Sequence, residues 1–313
     1  MAHRAERIAA RSSVRRVWIA LLHAVLLITA AATLTFESAQ SSSSVLASAM
    51  IISITLLAMY LLQPGDRSFR IWTIYILGFI LFIHLRDLAD KTGNPTRFDY
   101  VIHSDQALFL GTVPTVWLQQ HFATSSWLIL FAAGMYASYF LAPHGVALAL
   151  WRRKPQHFQR YVMAFLATCF VSLVLHFLLP TAPPWLAGKL GYLPHVMRLT
   201  DEAGRYLGPV AFQQGSAIAD SNPVAAMPSL HMALTALIAV TAWQTGNHWR
   251  ILGLLYAGAM LFSVVFLGEH YFTDASVGIV AALLGWKLAT VWAARQSRVQ
   301  EREKQLISVP SAD

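Results

Sequence analysis

The chain has 313 residues, of which 56% are hydrophobic and only 12% charged, with a formal net charge of +8. An average soluble domain carries roughly 25% charged residues, so this chain cannot cover a water-soluble globule, and it is far too apolar to be disordered. The composition, with a mean hydropathy of +0.51, describes a membrane protein, and its single cysteine, Cys169, excludes an intramolecular disulfide and a cysteine-built metal site.

A helix crossing the hydrocarbon core needs about 20 mostly apolar residues. Eight segments qualify: 17–36, 45–63, 69–85, 127–150, 160–180, 229–243, 249–267 and 272–294. The third and sixth are short and are expected to begin in polar residues facing the bundle. Continuous apolar runs exclude a barrel, whose strands alternate in segments of about ten residues. The expected fold is all-α, a polytopic membrane helix bundle of about eight transmembrane helices, with two N-terminal helices preceding a six-helix core. The first run is longer than the 7–15-residue apolar region of a signal peptide, so an uncleaved span is expected there.

Lys and Arg near the span ends set the orientation. With a cytoplasmic N-terminus, sixteen basic residues fall in cytoplasmic segments and six in the longer outer loops. Both termini are therefore expected inside. The basic excess reads as a topology signal and an affinity for anionic lipid heads, with no nucleic-acid partner.

Two outer loops, 86–126 and 181–228, are too long for simple connectors, and loops of that length usually carry function. Residues 107–122, with Gly111, Pro114 and Trp117, predict a short helix lying in the interface. The second loop is rich in Gly and Pro and is expected to be irregular but ordered against the bundle. The run 41–44 reads as a flexible outer turn, and 296–313 as a polar, partly frayed helix end.

Ionisable groups at membrane depth are costly and so are functional candidates. Of twelve histidines, most fall in cytoplasmic segments, at inner span ends or in outer loops without a spacing pattern. His231 and His270 differ. His231 lies in Met227-Pro228-Ser229-Leu230-His231 at the outer end of the sixth span. Pro228 suits a first helical turn, and the free amides of that turn, Leu230 included, would form with the Ser229 hydroxyl a small anion-binding cup. His270 lies in Gly268-Glu269-His270-Tyr271-Phe272-Thr273-Asp274, the outer turn into the eighth span. If that turn is helical, His270 and Asp274 stand at i and i+4 and share a face. The carboxylate can then hold one imidazole nitrogen protonated and aim the other outward. The topology puts His231, His270 and Asp274 at one depth on one side of the membrane. Ser229 and Asp274 also suit simple helix caps, but an anion cup, a His-x-x-x-Asp pair and a second histidine together suit a phosphate ester. One imidazole attacks phosphorus and the other protonates the leaving oxygen.

These residues resemble the type 2 phosphatidic-acid phosphatase superfamily, whose second motif is Pro-Ser-Gly-His and whose third ends in His-x-x-x-Asp. Pro228-Ser229-Leu230-His231 and His270-Tyr271-Phe272-Thr273-Asp274 look closer to its inositol phosphorylceramide synthase-like branch. The segment 180–185 and the Arg86-Asp87 pair are similar to bacterial members of that branch. The resemblance covers roughly residues 69–294. Taken with the orientation read from the basic residues, it implies a cytoplasmic N-terminus with two accessory helices over 1–68, a phosphatase- or phosphotransferase-like core over 69–294 and a cytoplasmic tail over 295–313. It also implies His270 as nucleophile, Asp274 as its orienter, His231 as general acid and Ser229 as phosphate ligand, with no metal and no cofactor. The family's first motif has no match, and Val264 stands where the third motif carries arginine. Cationic help for the phosphate is therefore assigned first to Arg86, then to Lys189 and Arg205, with His84 and His176 near the same pocket.

The resemblance implies an extracytoplasmic active site in a bacterial plasma membrane, membrane lipids as partners and a lipid-linked phosphate as substrate. The branch favours transfer of an inositol-phosphate-type head group. Simple hydrolysis of a lipid or polyprenyl (pyro)phosphate is the alternative within the class. A transporter is the alternative of another class, and a metal site of His231, His270 and Asp274 is a third. The oligomeric state is left open.

Overall fold

A computed structural model describes residues 67–86, 93–194, 196–208 and 224–308. The predicted spans at 17–36 and 45–63, and the turn at 41–44, lie outside the described residues. The chain divides into two compact units, Met1–Ile76 and Leu77–Asp313.

The described residues form helices α1 Arg67–Arg86, α2 Asp99–Leu108, α3 Pro114–Phe122, α4 Ser126–Ser138, α5 Ala142–Arg153, α6 Pro155–Leu178, α7 Pro184–Lys189, α8 Leu199–Leu207, α9 Leu230–Trp243, α10 Asn247–Phe266 and α11 Phe272–Ser308. Extended pairing among them is limited to isolated bridges joining Arg97 to Thr181 and Thr181 to Ala225. The fold is an all-α helix bundle. α6, α10 and α11 contain stretches long and apolar enough to cross a membrane. The protein is an integral membrane protein, and Leu252, Leu255, Leu284 and Leu288 point outward from α10 and α11, as lipid-facing side chains do.

Residues 127–150, expected as one span, do not form one straight helix. They form α4 and α5, bent by 49° across Tyr139–Leu141. Pro143 lacks an amide proton, and its ring collides with the carbonyl four residues earlier, so the helix breaks there. The Ser138 hydroxyl helps by donating back to the Met135 carbonyl (2.6 Å). Residues 107–122 are likewise not one helix. α2 ends at Leu108, and the chain turns through Leu110 and Gly111, both at positive φ (53° and 91°), before Pro114 starts α3. The end of the chain does continue as helix to Ser308.

Lipid tails are as apolar as leucine, so close approach rather than hydrophobic expulsion holds such helices together. α11 lies against α6 and α9. At Gly285 an added Cβ would strike Thr168 and the Ala164 carbonyl of α6, and at Gly278 it would strike the Ser229 carbonyl. These glycines stand seven residues apart, two helical turns, on the packed side of α11. Cys169, on the same helix as Thr168, is fully buried.

The described parts of the two long loops pack against the helices. Val101 and Ile102 of α2, Val113, Ala187 of α7, Leu193, Val196, Met227 and Tyr271 form one small core. Ile129 and Ala132 of α4, Leu199 and Ala203 of α8, Phe266 and Leu267 form another. The turn between α10 and α11 lies between the two. Gln119 ties it to the second loop, donating to the carbonyls of Met197 (2.9 Å) and Phe266 (3.0 Å). Glu269 is buried and accepts from Arg198 (2.9 Å) and Thr200 (2.6 Å), and the Arg198 guanidinium lies over Trp185 (4.7 Å). The described parts of the second loop, 181–194, 196–208 and 224–228, are thus ordered against the bundle and include the short helices α7 and α8.

Candidate active site

α9 has 14 residues, about 21 Å of helix, which is shorter than a hydrocarbon core of about 30 Å. Ser229 is the N-cap, and its hydroxyl accepts the Met232 amide (3.2 Å). Pro228 consequently precedes the cap and does not sit in the first turn, as the sequence suggested. The Ser229 hydroxyl, expected in an anion cup, is fully buried in this capping role. The amides of Leu230 and His231 lie ahead of the first intrahelical bond, from Ala233 to the Ser229 carbonyl (2.9 Å).

The two motifs are joined by their backbones, because the Ser229 amide donates to the Asp274 carbonyl (3.1 Å). This bond passes where Gly278 leaves room, and it fixes the start of α9 against the start of α11. His231 and His270 are thereby brought together, with ring centroids 5.6 Å apart. Tyr136 stacks on the His231 ring (4.0 Å) and Tyr139 lies at 4.2 Å, both from the C-terminal end of α4. His231 Nε2 is buried and has no hydrogen-bond partner among the described residues.

α11 begins at Phe272, so His270 stands in the turn before it rather than on its surface. Gly268, at φ 81°, makes the turn possible. Asp274 meets His270 by capping back: its Oδ2 accepts the Tyr271 amide (3.1 Å) and lies 3.7 Å from His270 Nδ1. The shorter contact of that nitrogen is to the Ala226 carbonyl (3.0 Å). A carbonyl can only accept, so Nδ1 carries a proton, and in the neutral ring the lone pair is then on Nε2. The backbone carbonyl is the nearer orienting group and Asp274 the more distant one, a division of labour that differs from the expected one.

The remaining candidates separate. Arg86 ends α1, where a cation is favoured by the helix dipole, and its charge reaches His231, His176 and Tyr139. His176 is buried and donates through Nε2 to the Pro228 carbonyl (3.2 Å), supporting the loop that carries Ser229. Lys189 is exposed at the end of α7, and no contact among the described residues joins it to the histidine pair. Arg205 is exposed and paired with Glu202 (3.0 Å). Asp87, His195 and the side chain of His84 lie outside the described residues. Among the described residues no group of three His, Cys, Asp or Glu is arranged to hold a metal ion.

Asp105 was not anticipated. It is fully buried on α2, yet its carboxylate accepts from the amides of Phe272 (3.0 Å) and Thr273 (2.9 Å) and from the Thr273 hydroxyl (2.6 Å). Burial raises its pKa above the ordinary carboxylate value, against those hydrogen bonds and with help from the Asp274 charge. The one signal in the sequence was an acidic residue set just before an apolar stretch.

A family model described as the PAP2 superfamily matches residues 99–288, more than half of the chain. The chain belongs to the PAP2 superfamily. Ser229, His231, His270 and Asp274 fall inside that match, whereas Arg86 lies before it. A phosphoinositol dihydroceramide synthase from Bacteroides thetaiotaomicron is 29% identical over 187 residues, covering 53% of this chain and 58% of that relative. The PAP2 protein described here thus spans less than two thirds of the relative it matches. No solved structure matches.

Proposed function

We propose that this PAP2 protein is a membrane phosphotransferase that moves a phosphorylated head group between lipids through a phosphohistidine. The observation that carries the reading is the His231–His270 pair, with the proton on His270 held at Nδ1 by the Ala226 carbonyl. His270 Nε2 attacks phosphorus, and the bond to the lipid alkoxide breaks as His231 hands that oxygen a proton. In the second half, His231 takes the proton from an acceptor hydroxyl, whose oxygen attacks phosphorus and releases His270. Arg86 and the first-turn amides of α9 stabilise the charge on the phosphoryl oxygens. Following the printed name of the relative, the head group is phosphoinositol and the acceptor a ceramide-type alcohol. The excess of Lys and Arg on the opposite segments supports an extracytoplasmic site with both termini in the cytoplasm.

The test is purified protein in vesicles of labelled phosphatidylinositol, with and without dihydroceramide. A labelled lipid that needs the acceptor supports transfer. Release of free inositol phosphate regardless of acceptor identifies a hydrolase. His270→Ala is expected to abolish either product and His231→Gln to cut the rate by about 10²–10⁴-fold. Full turnover in His270→Ala overturns the mechanism.

A further inference from the structure

The turn that carries His270 is held by a residue no motif contains. Helix α11 cannot satisfy its own first amides, and negative charge is favoured at that end. A local Ser, Thr or Asp before Phe272 would suffice for stability, but Tyr271 occupies that position with its ring in the core against α2 and α7. The amides are instead taken by two carboxylates. Asp274 Oδ2 holds Tyr271, while Asp105 Oδ2 holds Phe272 and Asp105 Oδ1 holds both the amide and hydroxyl of Thr273. Three consecutive residues between His270 and Asp274 are therefore pinned, two of them by a side chain 167 and 168 positions earlier. Phe109, one turn beyond Asp105, adds an edge-to-face contact with Phe272 (4.9 Å).

We propose that Asp105 is the positioning residue of the catalytic turn: from α2 it clamps the backbone at Phe272 and Thr273 so that His270 stands in line with the substrate phosphorus. The proposal rests on the reading of His270 as nucleophile. His270 lies outside the helix, so its ring is placed by the Ala226 contact, by Asp274 at 3.7 Å, by its own amide bonded to the Val264 carbonyl (3.1 Å), and by the clamped residues that follow. A nucleophile displaced by about 1 Å can lose about 10²-fold in rate while substrate binding elsewhere is unchanged. A buried carboxylate is costly unless its oxygens are bonded, and here both are.

Asp105→Asn keeps an acceptor for Thr273 but turns an NH₂ toward the Phe272 amide. Thr273→Val removes the hydroxyl bond alone, and Thr273→Ser restores it. Hydrogen exchange on the intact protein in vesicles tests the clamp without any turnover. The peptide 268–276 is expected to lose protection in Asp105→Asn and Thr273→Val and to keep it in Thr273→Ser, with the other helices unchanged. With phosphatidylinositol and dihydroceramide, kcat is expected to fall about tenfold or more in the first two variants, KM to stay within about twofold, and Thr273→Ser to recover the rate. Wild-type exchange and kcat in both Asp105→Asn and Thr273→Val overturn the proposal, as does a loss of kcat matched by general loss of protection. If the wild type turns over neither probe, the functional reading fails while the exchange result still decides the clamp.

Discussion

His270 owes its tautomer to a main-chain carbonyl, and that has a measurable consequence. In a hydrolase triad where a carboxylate alone sets the tautomer, replacing it by the amide costs roughly 10⁴-fold. Here the Ala226 carbonyl holds Nδ1–H at 3.0 Å and Asp274 stands at 3.7 Å. Asp274→Asn is therefore expected to lose well under that 10⁴-fold, since the lone pair stays on Nε2. Single-turnover kinetics on phosphatidylinositol vesicles check it: a complete loss, equal to that of His270→Ala, would show that the carboxylate charge and not the tautomer decides the rate. The residue scale is also where the sequence is least legible. Pro228-Ser229-Leu230-His231 and His270 to Asp274 are contiguous strings and can be read directly. The Ala226 carbonyl carries no side-chain signature. Asp105, Tyr136 and Tyr139 reach the site from other helices, across separations that no local pattern records.

Helices deliver these groups through two devices, a shared helix face and a close contact. Tyr136 and Tyr139, three residues apart at the C-terminal end of α4, share one face and present both rings to His231 just before the chain bends at Tyr139–Leu141. Hydropathy is blind to that bend, because the apolar run is unbroken, although Pro143 was visible within it. The close contact is at Gly278, where a Cβ would meet the Ser229 carbonyl and approach the Ala233 amide at 3.2 Å. Gly278→Ala should push α9 from α11, strain the Ser229–Asp274 bond and lower both the unfolding midpoint and turnover. Gly258→Ala on α10 meets nothing within 4 Å and should be neutral or stabilise by up to about 1 kcal/mol. Paired melting curves in detergent check this, and equal midpoints for the two variants would refute the role given to Gly278.

At the scale of the molecule, composition and apolar run lengths lead to a helical membrane bundle, because a bilayer admits few other ways to satisfy a backbone. The ends of α6, α9 and α10 fall close to the predicted spans for that reason. The outer loops were harder. Their two small cores combine residues from α2, α7, the 193–196 segment and the 266–271 turn, none of which is apolar enough alone to announce a partner. Cys169 is the chain's one cysteine and lies wholly inside the bundle, so the rest of the protein presents no thiol to a reagent. Cysteines placed singly at exposed sites such as Lys189 and Arg298 can then be alkylated in intact cells by an impermeant maleimide on an unaltered background. Labelling at 189 with protection at 298 is the sidedness expected of an enzyme working on the outer leaflet, and the reverse pattern would turn the whole molecule over.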